Sequence, residues 1–168
     1  MSLLKISAIA LASAIIATGC ASHRTNQDVK VASGVAGYTG SVYQGGSLVN
    51  NSDAIKAAAA NLQGVVRFGF DSDAISAQAA AILDEQVAFL QANPSARVLV
   101  AGHTDERGSR EYNISLGERR AAAVRSYLTQ KGVNTANIEI VSFGEERPVA
   151  AGSTEEAWSQ NRRAELSY

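Results

Sequence analysis

The sequence predicts an α+β two-layer sandwich, a mixed four-stranded sheet with helices on one face, in the order β-α-β-α-β-α-β. Three observations carry that reading. From Val65 onward, short β-branched runs alternate with stretches of helical period. Gly, Pro, Asn and Asp punctuate the junctions between them. About 100 residues follow that point, enough for one compact domain. "VVRFGF" (Val65 to Phe70) alternates and is β-branched and aromatic, which makes it the first strand. After the turn chemistry of "DSDAIS", Ile75, Ala79, Leu83, Val87 and Leu90 recur at helical spacing as far as Asn93-Pro94. "ARVLVAG" (Ala96 to Gly102) is nearly all apolar and belongs at the centre of the sheet. The second helix covers Tyr112 to Lys131, with Leu116, Arg120, Val124 and Leu128 on one stripe and Gly132 as the stop. "NIEIVSFG" (Asn137 to Gly144) is a third strand. Thr154 caps a short helix with Glu155 and Glu156 in its first turn, and a last strand covers Ala164 to Ser167.

The chain ahead of this domain has a different character. Residues 1–19 read as a signal peptide: Lys5 supplies a positive start, an apolar run extends from Ile6 to Ala17, and small residues lead to Cys20, the only cysteine. The run falls short of the roughly 20 apolar residues a membrane-spanning helix needs. Its ending resembles a bacterial lipobox, in which the cysteine is acylated, although Ala17 stands where Leu is commonest. The alternative is an ordinary signal peptide with a chance cysteine. Residues 20–61 are Gly, Ser, Asn, Ala and Gln with scattered Val and Tyr, and no period persists. They read as a lipidated cysteine followed by a flexible tether, ahead of a domain over 62–168. "DAIKAAAANLQ" (Asp53 to Gln63) has the composition of a short helix leading into that domain, with little to pack.

Charge and composition exclude several functions. The chain has 15 Lys and Arg against 16 Asp and Glu; losing Lys5 with the signal leaves 14 against 16, a net of −2. Such a chain has no basic footprint for nucleic acid. With Cys20 acylated there is no thiol for a disulfide, a nucleophile or a zinc site, and no cofactor motif is present. His103 is the domain's only histidine, no G-x-S-x-G stretch exists, and the adjacent carboxylates Asp105 and Glu106 do not form a complete acid–base constellation. Catalysis and a metal centre are therefore not expected.

What remains is "GHTDERGSREYNISLGERRA", a strand-to-helix junction crowded with charge. Asp105 follows the "VLVAG" strand in a loop between Gly102 and Gly108, and Arg120 lies fifteen residues later on the inward stripe Leu116-Arg120-Val124. A buried arginine needs a partner, because an unpaired buried charge costs several kcal/mol. An Asp and an Arg converging on one cleft would complement an amino-acid head group, ammonium to carboxylate and carboxylate to guanidinium. Asp71, in the turn beside Phe70, adds a second carboxylate, and backbone N–H groups in such a turn also hold anions. A structural Asp105–Arg120 salt bridge fits the pattern equally well, and the spacing alone leaves the two readings level. Glu111, Glu118, Arg119 and Arg125 read as solvated helix charges, and Trp158 as packing of the last helix.

The motifs "FGFDS", "GHTDERG…EYNISLGERRA", "VSFGEERP" and "TEEAWSQNRRAEL", in that order behind a lipobox, closely resemble the OmpA-like peptidoglycan-binding domain over essentially all of residues 65–168. Gly117 stands where the wider family often has Ser, which points to its lipoprotein branch. The resemblance implies the same fold and a non-covalent ligand, the diaminopimelate of the peptidoglycan stem peptide. It implies that Asp105 pairs with the ligand's ammonium, Arg120 grips its carboxylate, and Phe70 with Asp71 closes the pocket. Arg107 and Leu116 are implied as further wall residues. His103, Thr104, Gly108, Tyr112, Asn161 and Arg162, with Arg163 as the alternative to Arg162, take supporting roles. The resemblance also implies an outer-membrane location through lipid on Cys20, facing the periplasm, and a periplasmic Tol propeller protein as partner in cell division. A wall-binding lipoprotein without a Tol partner, or a scaffold that has lost binding, are the alternatives.

Overall fold

The computed structural model describes residues 29–31 and 49–168. The expectations for the signal segment, for Cys20 and for much of the tether lie outside those residues. Five strands form one sheet: β1 (Val29–Val31), β2 (Val65–Arg67), β3 (Val98–His103), β4 (Ile138–Gly144) and β5 (Arg163–Ser167). The helices are α1 (Asp53–Ala59), α2 (Ala77–Ala92), α3 (Arg110–Gln130) and α4 (Glu155–Asn161). The order across the sheet is β1-β4-β3-β5-β2. β1, β4 and β3 run parallel, and β5 is antiparallel to both β3 and β2. The four strands expected from sequence thus form a mixed sheet, with helices as expected, and a fifth, three-residue strand from the tether is added at its edge.

Local chemistry sets the boundaries. Ser76, Ser109 and Thr154 cap α2, α3 and α4, each side chain accepting from the backbone N–H three residues on. β2 stops at Arg67 instead of reaching Phe70, because the chain turns at Asp71, which has a positive φ of 51°. Along β3 every residue is buried, and alternation sorts them. Val98 and Val100 face α2 and α3 in the main core with Leu83, Leu90, Val124 and Leu128. Leu99 and Ala101 face the other side, with Val49, Val141 and Phe143.

Two close approaches lock α3 onto the sheet. A Cβ on Gly102 would lie 1.8 Å from the Gly117 carbonyl oxygen, so β3 and α3 touch backbone to backbone. The Ser142 hydroxyl on β4 donates to the Ile114 carbonyl at 2.7 Å from the same side.

The tether expected over residues 20–61 ends earlier than its composition suggests. Val49 is buried in the second cluster, and Ile55 packs against the main core. Between them, the Asn51 amide donates to the Arg97 carbonyl and accepts from the Arg97 N–H, at 2.7 and 2.8 Å, a backbone-like pair that pins the segment to the start of β3. The low apolar content hid this docking, because Val49, Ile55, the buried Ala59 and one amide suffice for it.

Candidate functional site

The carboxyl end of β3 opens into a pocket of about 200 Å³. It lies between the β3–α3 loop, the first turns of α3 and the turn after β2. The ladder shifts register between Gly102 and His103, and the Thr104 N–H donates to Gly144 at 2.9 Å. That irregularity sends Thr104 and Asp105 towards α3. Gly108, at φ 113°, brings the loop back to the cap of α3.

Arg120 forms the floor and is fully buried. Its Nε donates to the Ser72 carbonyl, Nη1 to the His103 carbonyl and Nη2 to the Gly69 carbonyl, at 2.9, 2.7 and 3.1 Å. Its guanidinium also sits 5.2 Å from the Phe68 ring centre. Burial lowers its pKa to about 10, against the attraction of Asp105, so it is still charged at neutral pH. Three of its five N–H groups are engaged, and the residue lines the pocket.

Asp105 is also buried, yet its partner is not Arg120. Oδ1 accepts from the Arg107 backbone N–H and Nε, and Oδ2 from Arg107 Nη2 and Arg162 Nη1. Burial alone would raise the carboxyl pKa; the Arg107 and Arg162 hydrogen bonds outweigh it and hold the group below the usual aspartate range. Arg162 is itself fixed, donating to the Phe68 carbonyl and to Glu155. A single Asp105–Arg120 salt bridge is therefore not what the fold builds. Two arginines hold Asp105, backbone carbonyls hold Arg120, and both side chains line one cavity.

The rim is aromatic. Phe70 is 61 % exposed, and Asp71 accepts from the Tyr112 hydroxyl, which raises the pKa of that tyrosine. The Arg107 guanidinium packs on both the Phe70 and the Trp158 rings, at 4.1 and 4.0 Å from their centres. Of the expected residues, Phe70, Asp71, Thr104, Asp105, Arg107, Gly108, Tyr112, Leu116 and Arg120 all line the pocket. Arg162 braces Asp105 from behind, and Asn161 holds the loop at Val149 and Ala150 instead of the pocket. His103 splits in two. Its carbonyl supports Arg120, whereas its imidazole is on the opposite face of the sheet, stacked on Phe143 with 5.3 Å between ring centres.

Sequence reasoning missed Asn113 and the second role of Trp158. Asn113 is buried in the pocket wall and donates to Glu145. Its spacing of seven residues from Arg120 placed it on the inward stripe, so the signal was present. Trp158 donates from Nε1 to Glu106 and stacks on Arg107, a role that nothing in its own helix announces. Among the described residues there is no cluster of three or more His, Cys, Asp or Glu side chains fit to hold a metal ion.

Residues 67–162 match the OmpA family. The chain belongs to the OmpA family. The peptidoglycan-associated lipoprotein of Pseudomonas aeruginosa is 43 % identical over 164 residues, 96 % of this chain and 95 % of that one. Its counterpart in Haemophilus influenzae is 53 % identical over 103 residues, 61 % of this chain and 67 % of that protein. The crystal structure of the peptidoglycan-associated lipoprotein from Burkholderia pseudomallei superposes with a TM-score of 0.62 at 46 % identity, covering 63 % of this chain and 90 % of that one. This OmpA-family domain is therefore similar in sequence and in fold to lipoproteins associated with peptidoglycan.

Proposed function

We propose that this chain anchors the outer membrane to peptidoglycan without covalent bonds, by binding the diaminopimelate of the stem peptide in the pocket at the end of β3. The observation that carries the reading is a buried arginine and an anionic buried aspartate lining one cavity of about 200 Å³, with an exposed phenylalanine at its mouth. Such a site suits a small zwitterion. Its ammonium is drawn to Asp105 and its carboxylate to the remaining N–H groups of Arg120, while Phe70, Asp71, Arg107 and Leu116 wall it in. Each charge-assisted hydrogen bond contributes about 1.5–3 kcal/mol before association costs, so single-site binding is reversible and many anchors act by avidity.

In the same reading, Cys20 carries the lipid that seats the protein in the outer membrane, facing the periplasm. Similarity to the Pseudomonas aeruginosa lipoprotein extends over 96 % of the chain and so reaches that segment. A periplasmic Tol propeller protein is the proposed partner in envelope constriction at division, and the protein acts as a tether and not an enzyme. A second reading, a structural scaffold, draws on the saturation of Asp105 by Arg107 and Arg162.

Co-sedimentation with diaminopimelate-type sacculi separates the two. Wild type is expected in the pellet, and Asp105→Asn and Arg120→Lys, each checked for cooperative melting, in the supernatant. Folded variants that pellet as wild type does would leave the scaffold reading standing.

A further inference from the structure

Asp105 already has a full complement of cations. A carboxylate offers about four acceptor positions, and four N–H groups fill them, three from Arg107 and one from Arg162. An incoming ammonium can reach it only if one of the two side chains leaves. Arg162 cannot, since its side chain is 8 % exposed and is held by the Phe68 carbonyl and Glu155 as well. Arg107 can: its side chain is 30 % exposed.

A second seat is in place for it. Arg107 Nη2 lies 2.6 Å from Asp105 Oδ2 and 3.8 Å from Glu155 Oε2, so one atom already faces two carboxylates. The guanidinium also contacts the Phe70 and Trp158 rings, at 4.1 and 4.0 Å from their centres, and the short distance between the two seats keeps it near both. We propose that Arg107 is a resident stand-in for the ligand's cation, and that ligand binds by exchange: its ammonium takes Asp105 while Arg107 moves over to Glu155. This rests on the pocket being the diaminopimelate site.

Exchange sets a condition on the ligand. A lone amine must displace a guanidinium held at both carboxylate oxygens and gains nothing else. A zwitterion also delivers a carboxylate to Arg120, so the resident arginine rejects simple polyamines and admits amino-acid head groups.

Trp158 is the only tryptophan, and its ring touches the moving group, so its emission reports the exchange. The test is calorimetry and Trp158 fluorescence on the full chain in detergent, titrated with diaminopimelate and with cadaverine. Wild type is expected to bind diaminopimelate with an emission change and to ignore cadaverine. Arg107→Gln is expected to bind diaminopimelate about three- to fivefold more tightly with no emission change, the worth of one partly exposed ion pair, and to gain measurable cadaverine binding. Glu155→Gln is expected to weaken diaminopimelate by a similar factor in wild type and to have no effect beside Arg107→Gln. Weaker or unchanged binding by Arg107→Gln would make the arginine a ligand contact or a bystander, and an effect of Glu155→Gln that persists beside it would act through Arg162. Either result overturns the exchange while the anchor reading stands. Failure of wild type to bind diaminopimelate would remove both.

Discussion

Arg120 illustrates how a buried charge is made tolerable by main chain. Its three carbonyl partners come from Gly69, Ser72 and His103, in the turn after β2 and at the end of β3, so one side chain ties two separate loops to α3. Arg120→Met keeps much of the packing and strands those carbonyls. The expected cost is about 3–5 kcal/mol, read as a fall in the urea midpoint at unchanged slope. His103 gives a pH-dependent counterpart. Burial, reinforced by Arg163 and Arg147, lowers its pKa to about 3 from 6.5, so the folded protein holds it neutral while the unfolded chain protonates below 6.5. Its contribution is present above pH 6.5 and is lost progressively as pH falls from there towards 3. His103→Phe leaves the carbonyl to Arg120 and has nothing to titrate. Unfolding free energies at pH 7 and pH 4.5 are expected to differ less in the variant than in wild type, by about 1–3 kcal/mol. Equal pH sensitivity in the two proteins would mean the imidazole is hydrated in the fold.

At the scale of elements, the contact between α3 and β3 is set by absent side chains. Gly102 and Gly117 leave no room for a Cβ, since one on Gly117 would stand 2.4 Å from Ser142 Oγ and 3.0 Å from the Gly102 carbonyl oxygen. Gly102→Ala is expected to push α3 off the sheet and to destabilise by about 3 kcal/mol or more, with loss of the pocket because Arg120 rides on that helix. Gly152→Ala is the control. Its φ is 108° but nothing lies within 4 Å of the added methyl, so about 1 kcal/mol of backbone strain is expected and no change in binding. Chemical denaturation of both variants checks the contrast. The elements were legible in the sequence, because they report themselves through period and caps: the stripe Leu116-Arg120-Val124-Leu128 is buried as read, and Thr154 caps α4 as read, whereas the close approach of Gly102 to Gly117 was not read. The pairings were not. Spacing put Asp105 and Arg120 in one place but gave no sign that Asp105 would be held by Arg162, which is 57 residues away and arrives only because β5 lies beside β3. The fifth strand and the docked segment escaped for the opposite reason: three-residue pairing and one amide leave no periodic trace.

The whole molecule is organised along β3. The pocket opens at the carboxyl end of that strand, and the segment from the tether docks at its amino end, where Asn51 pairs with Arg97. A strand of six residues puts about 17 Å between the two attachments. β4 and β5 flank it on both sides, so the strand is held by two ladders between the two ends. If the boundary lay at residue 62, as composition suggests, a fragment of residues 62–168 would be as stable as one of 49–168. The fold argues otherwise. Val49, Ile55 and Ala59 bury apolar surface, and the Asn51 pair would leave Arg97 backbone groups at the start of β3 without partners. Together these are worth about 2–3 kcal/mol, which in a domain of this size corresponds to a melting temperature lower by about 10 °C. Asn51→Ala in the longer fragment is expected to account for about a third to a half of that loss. Wall binding is a separate matter, since none of these residues lines the pocket. The short fragment, assayed well below its melting temperature, is expected to pellet with sacculi as the long one does. Equal melting of the two fragments would place the domain boundary at residue 62 after all, whereas lost binding at full folding would mean that the two ends of β3 communicate.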